Sequence, residues 1–135
     1  MDKETWRKNW LNSINELTSL ELQKNSWLNS ENKNPHWSYI EFLSCYFDDL
    51  GISENYTDEL NLNLISLQEY DIIKDWHNRL NKYEEPNNDP YNHKLILEDS
   101  KWYEIVEIGK DAIRQLSQIL NLQERELLEK NKNVV

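Results

Sequence analysis

Cys45, three histidines and four carboxylate doublets are the side chains from which catalysis or metal binding would have to be built. Cys45 follows Glu41 by four residues and precedes Asp48 and Asp49, so a helix here sets its thiol among carboxylates. Negative neighbours keep a cysteine as the thiol, whereas a nucleophile must be the thiolate. His36, His77 and His93 are far apart in sequence. None has a Glu-x-x-His or His-Glu-x-x-His partner, since Ile73 and Lys74 stand four and three residues before His77. The doublets Asp48-Asp49, Asp58-Glu59, Glu84-Glu85 and Glu98-Asp99 point adjacent carboxylates in different directions on a helix. Such doublets suit a solvated face better than paired acid–base work. There is no Gly-x-Ser-x-Gly elbow. Gly51 and Gly109 are the only glycines, which excludes phosphate-cradling and dinucleotide loops. The expectation is therefore a non-enzymatic protein with no catalytic residue, no metal site and no cofactor.

A different signal lies in the charge pattern. From Asn34 to Ile73 there is no lysine or arginine, while Glu41, Asp48, Asp49, Glu54, Asp58, Glu59, Glu69 and Asp71 all fall there. Of the 25 acids, those 8 leave 17 elsewhere against 15 bases, so this interval accounts for most of the formal charge of -10. It also holds Trp37, Tyr39, Phe42, Tyr46, Phe47, Tyr56 and Tyr70. A one-signed surface speeds association with an oppositely charged partner, and exposed aromatics supply contact area. So few bases in the interval, and so negative a total, argue against direct nucleic-acid binding. The bland reading is a solubilising face.

At 135 residues the chain is read as one domain, with six Trp and seven Tyr offsetting a hydrophobic content of 38%. Two Gly and three Pro are few breakers, which disfavours sandwiches and barrels. One cysteine, a charged start and no membrane-length apolar run point to a soluble cytoplasmic protein. The abundance of Asn and Lys hints at an AT-rich bacterial genome.

Helical periodicity then places these residues on four segments. Trp6, Trp10, Ile14, Leu17 and Leu20 line the first, from about residue 4 to 22, and residues 25–34 read as a loop anchored by Trp27. Asn34 and Pro35 cap the second, Gly51 ends it, and His36, Ile40, Leu43, Phe47 and Leu50 share a face flanked by Tyr39, Phe42 and Tyr46. Ser66 and Glu69 open the third, residues 67–83, as a capping box, and Tyr70, Ile73, Trp76, His77, Leu80 and Tyr83 face inward. Asp99 or Ser100 caps the fourth, residues 101–120, where mid-stripe Gly109 predicts close approach of another helix under an indole. A further helical piece covers 122–129, and 130–135 is expected to fray. Residues 58–65 and 93–98 carry both helix and strand signals. A small two-stranded β-ribbon would join them, but short helices are preferred because both flank strong helices. His93 is placed in a solvated loop. The fold class is a single all-α domain, residues 1–135, an array or bundle of four to six helices.

In size, acidity and character the chain resembles the small acidic helical immunity proteins that neutralise bacterial toxins, and more loosely antitoxins. The likeness is carried by Tyr46-Phe47-Asp48-Asp49 and by Glu54-Asn55-Tyr56-Thr57-Asp58-Glu59. It implies a basic protein partner, a toxin domain, blocked by occlusion, with no direct nucleic-acid or membrane partner. The expected partner-binding residues are Glu41, Asp48, Asp49, Glu54, Tyr56, Asp58 and Glu59. Two rivals stand beside this: a small enzyme or ligand-binding domain with a pocket lined by Trp76, His77 and Trp102, and a subunit that buries exposed aromatics against its own copy.

Overall fold

A computed structural model describes residues 1–29 and 38–129. Among these, eight α-helices form: α1 (Lys3–Leu17), α2 (Leu20–Trp27), α3 (Tyr39–Phe47), α4 (Thr57–Asn61), α5 (Leu67–Lys82), α6 (His93–Glu98), α7 (Ser100–Ser117) and α8 (Leu122–Glu129). Short 3-10 turns at Glu54–Tyr56 and Pro86–Asn88 precede α4 and α6. The described residues contain no strand, so the array is all-α; the stretch 93–98 is α6, while 58–65 is helical only as far as Asn61, the end of α4, and continues as turn and bend.

Local chemistry accounts for the boundaries. The Asp2 carboxylate accepts from Thr5 N–H and starts α1. The helix expected to reach residue 22 instead stops at Thr18, whose hydroxyl donates back to Ile14 O at 2.7 Å, and Ser19 caps α2 afresh. A hydroxyl that competes for helix carbonyls in this way ends or bends a helix. Trp27, expected in a loop, is buried in the last turn of α2. Ser38 caps α3. The proposed caps at Asn34 and Pro35, with His36 and Trp37, lie outside the described residues, as does 130–135. Ser66 and Glu69 form the expected capping box on α5. Asp99 caps α7 through Lys101 N–H, and Asn121 accepts from Glu124 N–H at the start of α8.

The long helices build the core. α1 packs on α8, α3, α2 and α7, while α7 packs on α5, α6 and α8. Trp10, Trp76, Trp102, Tyr39, Tyr46, Tyr56 and Phe42 are its largest enclosed side chains. Aromatic rings bury large areas, so these few residues offset the low hydrophobic content. At Gly109 an added Cβ would strike the Thr18 methyl and lie 2.8 Å from Trp76 Nε1. The glycine lets the Trp76 indole lie against α7, as its place in the stripe predicts.

The inner face of α3 is rotated from the expected one. Tyr39, Phe42 and Tyr46 are enclosed, Leu43 and Phe47 are half-buried, and Ile40 is exposed. An apolar arc that wide does not by itself fix which part faces the core; the indoles of α2 and α5 do, through Trp27 against Tyr39 and Phe42 and Trp76 against Tyr46.

Candidate acidic interface and the relay beneath it

The predicted interface residues divide into two groups. Glu41 is half-buried and accepts from the Ser38 hydroxyl, while Asp48, Asp49, Glu54 and Asp58 are exposed. Asp48 and Asp49 follow the last turn of α3, and Gly51, at φ 61, lets the chain leave that helix as expected. Glu54 opens the 3-10 turn ahead of α4, and Asp58 lies in the first turn of α4. Among the described residues none of these four carboxylates meets a lysine or arginine, although Ser44 donates to Asp48 and Cys45 to Asp49.

Tyr56 and Glu59 do not belong to the surface group, which corrects their expected role. Tyr56 is fully enclosed. Its backbone takes φ 57, beside Asn55 at φ 57, and this left-handed pair turns the ring into the core. Glu59 is buried, and its Oε1 accepts from Ser53 N–H at 3.1 Å and the Ser53 hydroxyl at 2.7 Å. It closes the loop internally instead of facing a partner. Tyr46, one of the four residues on which the likeness to immunity proteins was drawn at α3, is enclosed as well.

These tyrosines belong to a relay of hydrogen bonds under the ridge. Trp10 Nε1–H donates to Tyr56 Oη at 3.1 Å. The hydroxyls of Tyr56 and Tyr46 meet at 2.5 Å, and Tyr46 Oη lies 2.7 Å from His77 Nδ1. Trp10 has only a donor to offer, so Tyr56 Oη must accept from it. Running the hydroxyl protons Tyr56 to Tyr46 to His77 gives the indole and both hydroxyls an acceptor and leaves the ring proton of His77 on Nε2, outside the relay. Burial drives the tyrosine hydroxyls above their usual range and pushes His77 down to about 4. One turn before Trp10, Trp6 Nε1–H donates to Leu50 O at 3.0 Å. α1 therefore holds both halves of the ridge from below.

Sequence reasoning missed a second tie, at Arg7. Its guanidinium bonds Glu124 through Nε and Nη2, Glu69 through Nη1 and Nη2, and Leu64 O through Nη1, using all five N–H groups. Burial opposes its charge, but Glu69 and Glu124 more than offset that and hold it above its usual range. Burial likewise opposes the Glu69 charge, yet Arg7 and the Ser66 amide keep its carboxyl below the usual range. The available signal was Arg7, followed by Lys8, between two inward tryptophans. A groove of about 830 Å³ beside α1 and α8 is lined by Glu4, Arg7, Lys8 and Glu124, among others. Its central charges are already consumed in holding helices together.

Burial, then Asp49, Glu16 and Glu41, pushes the Cys45 thiol up to about 11, opposite to what a nucleophile needs. His93 sits in the first turn of α6, not in a solvated loop: Nδ1 is 3.1 Å from Trp27 O, and Tyr39 N–H donates to Nε2 at 3.4 Å. Trp76 and His77 pack with Tyr46, whereas Trp102 packs with Trp27, Tyr39 and Tyr83. The expected Trp76–His77–Trp102 lining thus falls into two separate ring clusters. No group of three or more metal-ligating side chains occurs among the described residues. No described helix is long and apolar enough to cross a membrane. No protein-family model matches the chain, and no curated protein or solved structure is significantly similar to it.

Proposed function

We propose that this chain is a non-enzymatic binding protein of the bacterial cytoplasm, an immunity protein or antitoxin that occludes a basic toxin domain. One observation carries the reading. Every carboxylate of α5 and α7 is paired: Glu69 with Arg7, Asp71 with Lys74, Asp75 and Glu104 with Arg79, Glu107 with Lys110, Asp111 with Arg114. Among the described residues, Asp48, Asp49, Glu54 and Asp58 form no ion pair. These four carboxylates, on a stretch of chain with no lysine or arginine, supply uncompensated negative charge to which a cationic partner would be drawn.

The position of Asp48 and Asp49 adds support. The C-terminal end of a helix carries partial negative charge, and cations are favoured there. The last turn of α3 has no base, and two carboxylates follow it. That placement works against stability, so fold stability alone does not account for it. With Tyr46 and Tyr56 interior, the contact surface is the carboxylates with Ile40 and Glu41 beside them. Affinity would then rest on electrostatic steering and salt-sensitive pairing.

Titration against purified basic toxin domains encoded beside this chain tests the reading, at low ionic strength where screening is weakest. Binding that weakens steeply with salt supports it; absence of binding at low salt rejects it.

A further inference from the structure

We infer that His77 is a protonation-sensitive latch: a proton taken up at Nδ1 reverses the relay through Tyr46 and Tyr56 and releases residues 53–62 from the rest of the fold. The inference stands on the buried relay and on no property of a partner.

In the neutral state Tyr46 donates to Nδ1 and accepts from Tyr56, which accepts from Trp10. A protonated imidazole has only donors. Nδ1–H must then donate to Tyr46 Oη, and the Tyr46 proton must turn to Tyr56 Oη. Tyr56 already receives the Trp10 N–H, and its own proton is left without an acceptor, because the described residues offer its hydroxyl no other partner. An unpaired hydroxyl inside a core is costly, so the ring of Tyr56 is driven out.

The surroundings do not rescue the charged ring. Tyr46 and Phe47 face it from α3, and Tyr56 faces it from the 3-10 turn. Trp10 on α1 and Tyr70 on α5 touch Tyr56 and not the imidazole. Glu59 of α4 sets its charge against both tyrosine hydroxyls, but its bonded oxygen is engaged by Ser53. Among the described residues no carboxylate is bonded to His77, and burial alone accounts for its lowered affinity for a proton.

The segment is built to move once released. Ser53 bonds Glu59 and Asp58 N–H within the segment itself, whereas the Tyr56 hydroxyl bonds α1 and α3. Asn55 and Tyr56 are both held at φ 57, a conformation that L side chains adopt reluctantly. Freeing the ring removes what enforces that backbone.

Two measurements on the intact protein test the latch. Long-range nitrogen–proton NMR of His77 at neutral pH should show the proton on Nε2. Hydrogen exchange, corrected for intrinsic pH dependence, should show protection of residues 53–62 falling by about tenfold or more between pH 7 and pH 4.5, ahead of α7. In His77→Gln, whose amide oxygen can accept from Tyr46 without titrating, that early loss should vanish. A neutral ring carrying its proton on Nδ1 overturns the inference, even if the variant fails to fold. So does acid loss of protection that is uniform across the wild-type molecule, or equal local loss in His77→Gln.

Discussion

Trp6 and Trp10 stack one turn apart on α1, 5.8 Å between ring centroids and 23° between planes, and each indole N–H holds a different half of the acidic ridge. Trp6 binds Leu50 O, next to Asp49, and Trp10 binds Tyr56, between Glu54 and Asp58. The surface charge therefore rests on two fixed points of one helix, which limits how far its carboxylates can spread apart.

Removing a member of the relay should be costly. Tyr56→Phe strands the Trp10 N–H and a hydroxyl bond of Tyr46 in a dry site, so it should destabilise the protein by about 1–3 kcal/mol in urea unfolding. Tyr46→Phe should do likewise. The double variant should lose less than the sum, because the two hydroxyls serve the same bond.

Gly109→Ala should also destabilise, although alanine is the better helix former. The new methyl meets Thr18 and Trp76, and overpacking costs about 1–3 kcal/mol against roughly 1 kcal/mol of gained propensity. A lower melting temperature with altered tryptophan emission would confirm this. A higher melting temperature would show that the indole yields freely.

Arg7→Ala should cost about 3 kcal/mol or more, because it leaves Glu69 charged and buried without its partner. Arg7→Lys should recover only part of this, since an ammonium cannot reproduce five planar N–H bonds. Denaturant midpoints of the two variants make the comparison.

His77 makes stability depend on pH with a definite sign. Its folded value, about 4, lies below the unfolded value of 6.5. Between these the unfolded chain binds the extra proton, so stability rises with pH across that window. The contribution is fully present above pH 6.5 and is lost as pH falls toward 4, on the order of 3 kcal/mol. His77→Gln should flatten this part of a stability–pH curve and leave the later, carboxylate-driven loss in place.

Much of the scaffold was legible in the residues. The Ser66–Glu69 capping box, the Asp99 cap, Gly51 beyond α3 and Gly109 beneath an indole each follow from local chemistry that tertiary packing did not override. Tyr56 and Glu59 were misplaced because a polar loop reads as surface. Its burial depends on Asn55 and Tyr56 turning left-handed and on Trp10, 46 residues away. The relay itself had a readable signal: Tyr46 and His77 carry polar tips into apolar faces, and such tips need partners. Arg7 between Trp6 and Trp10 carried the same signal. The break at Thr18 had none beyond a hydroxyl near a serine.

The central claim is that uncompensated charge at Asp48, Asp49, Glu54 and Asp58 is the docking surface for a basic toxin domain. The most direct measurement is the association rate with that domain across ionic strengths, for a quadruple Asp→Asn and Glu→Gln variant at these positions. A matched variant at Asp71, Asp75, Glu104 and Glu107 serves as the control. The ridge variant should associate about tenfold or more slowly at low salt and lose most of its salt dependence, while the control stays near wild type. Equal slowing in both variants, or an unchanged rate in the ridge variant, would contradict the claim.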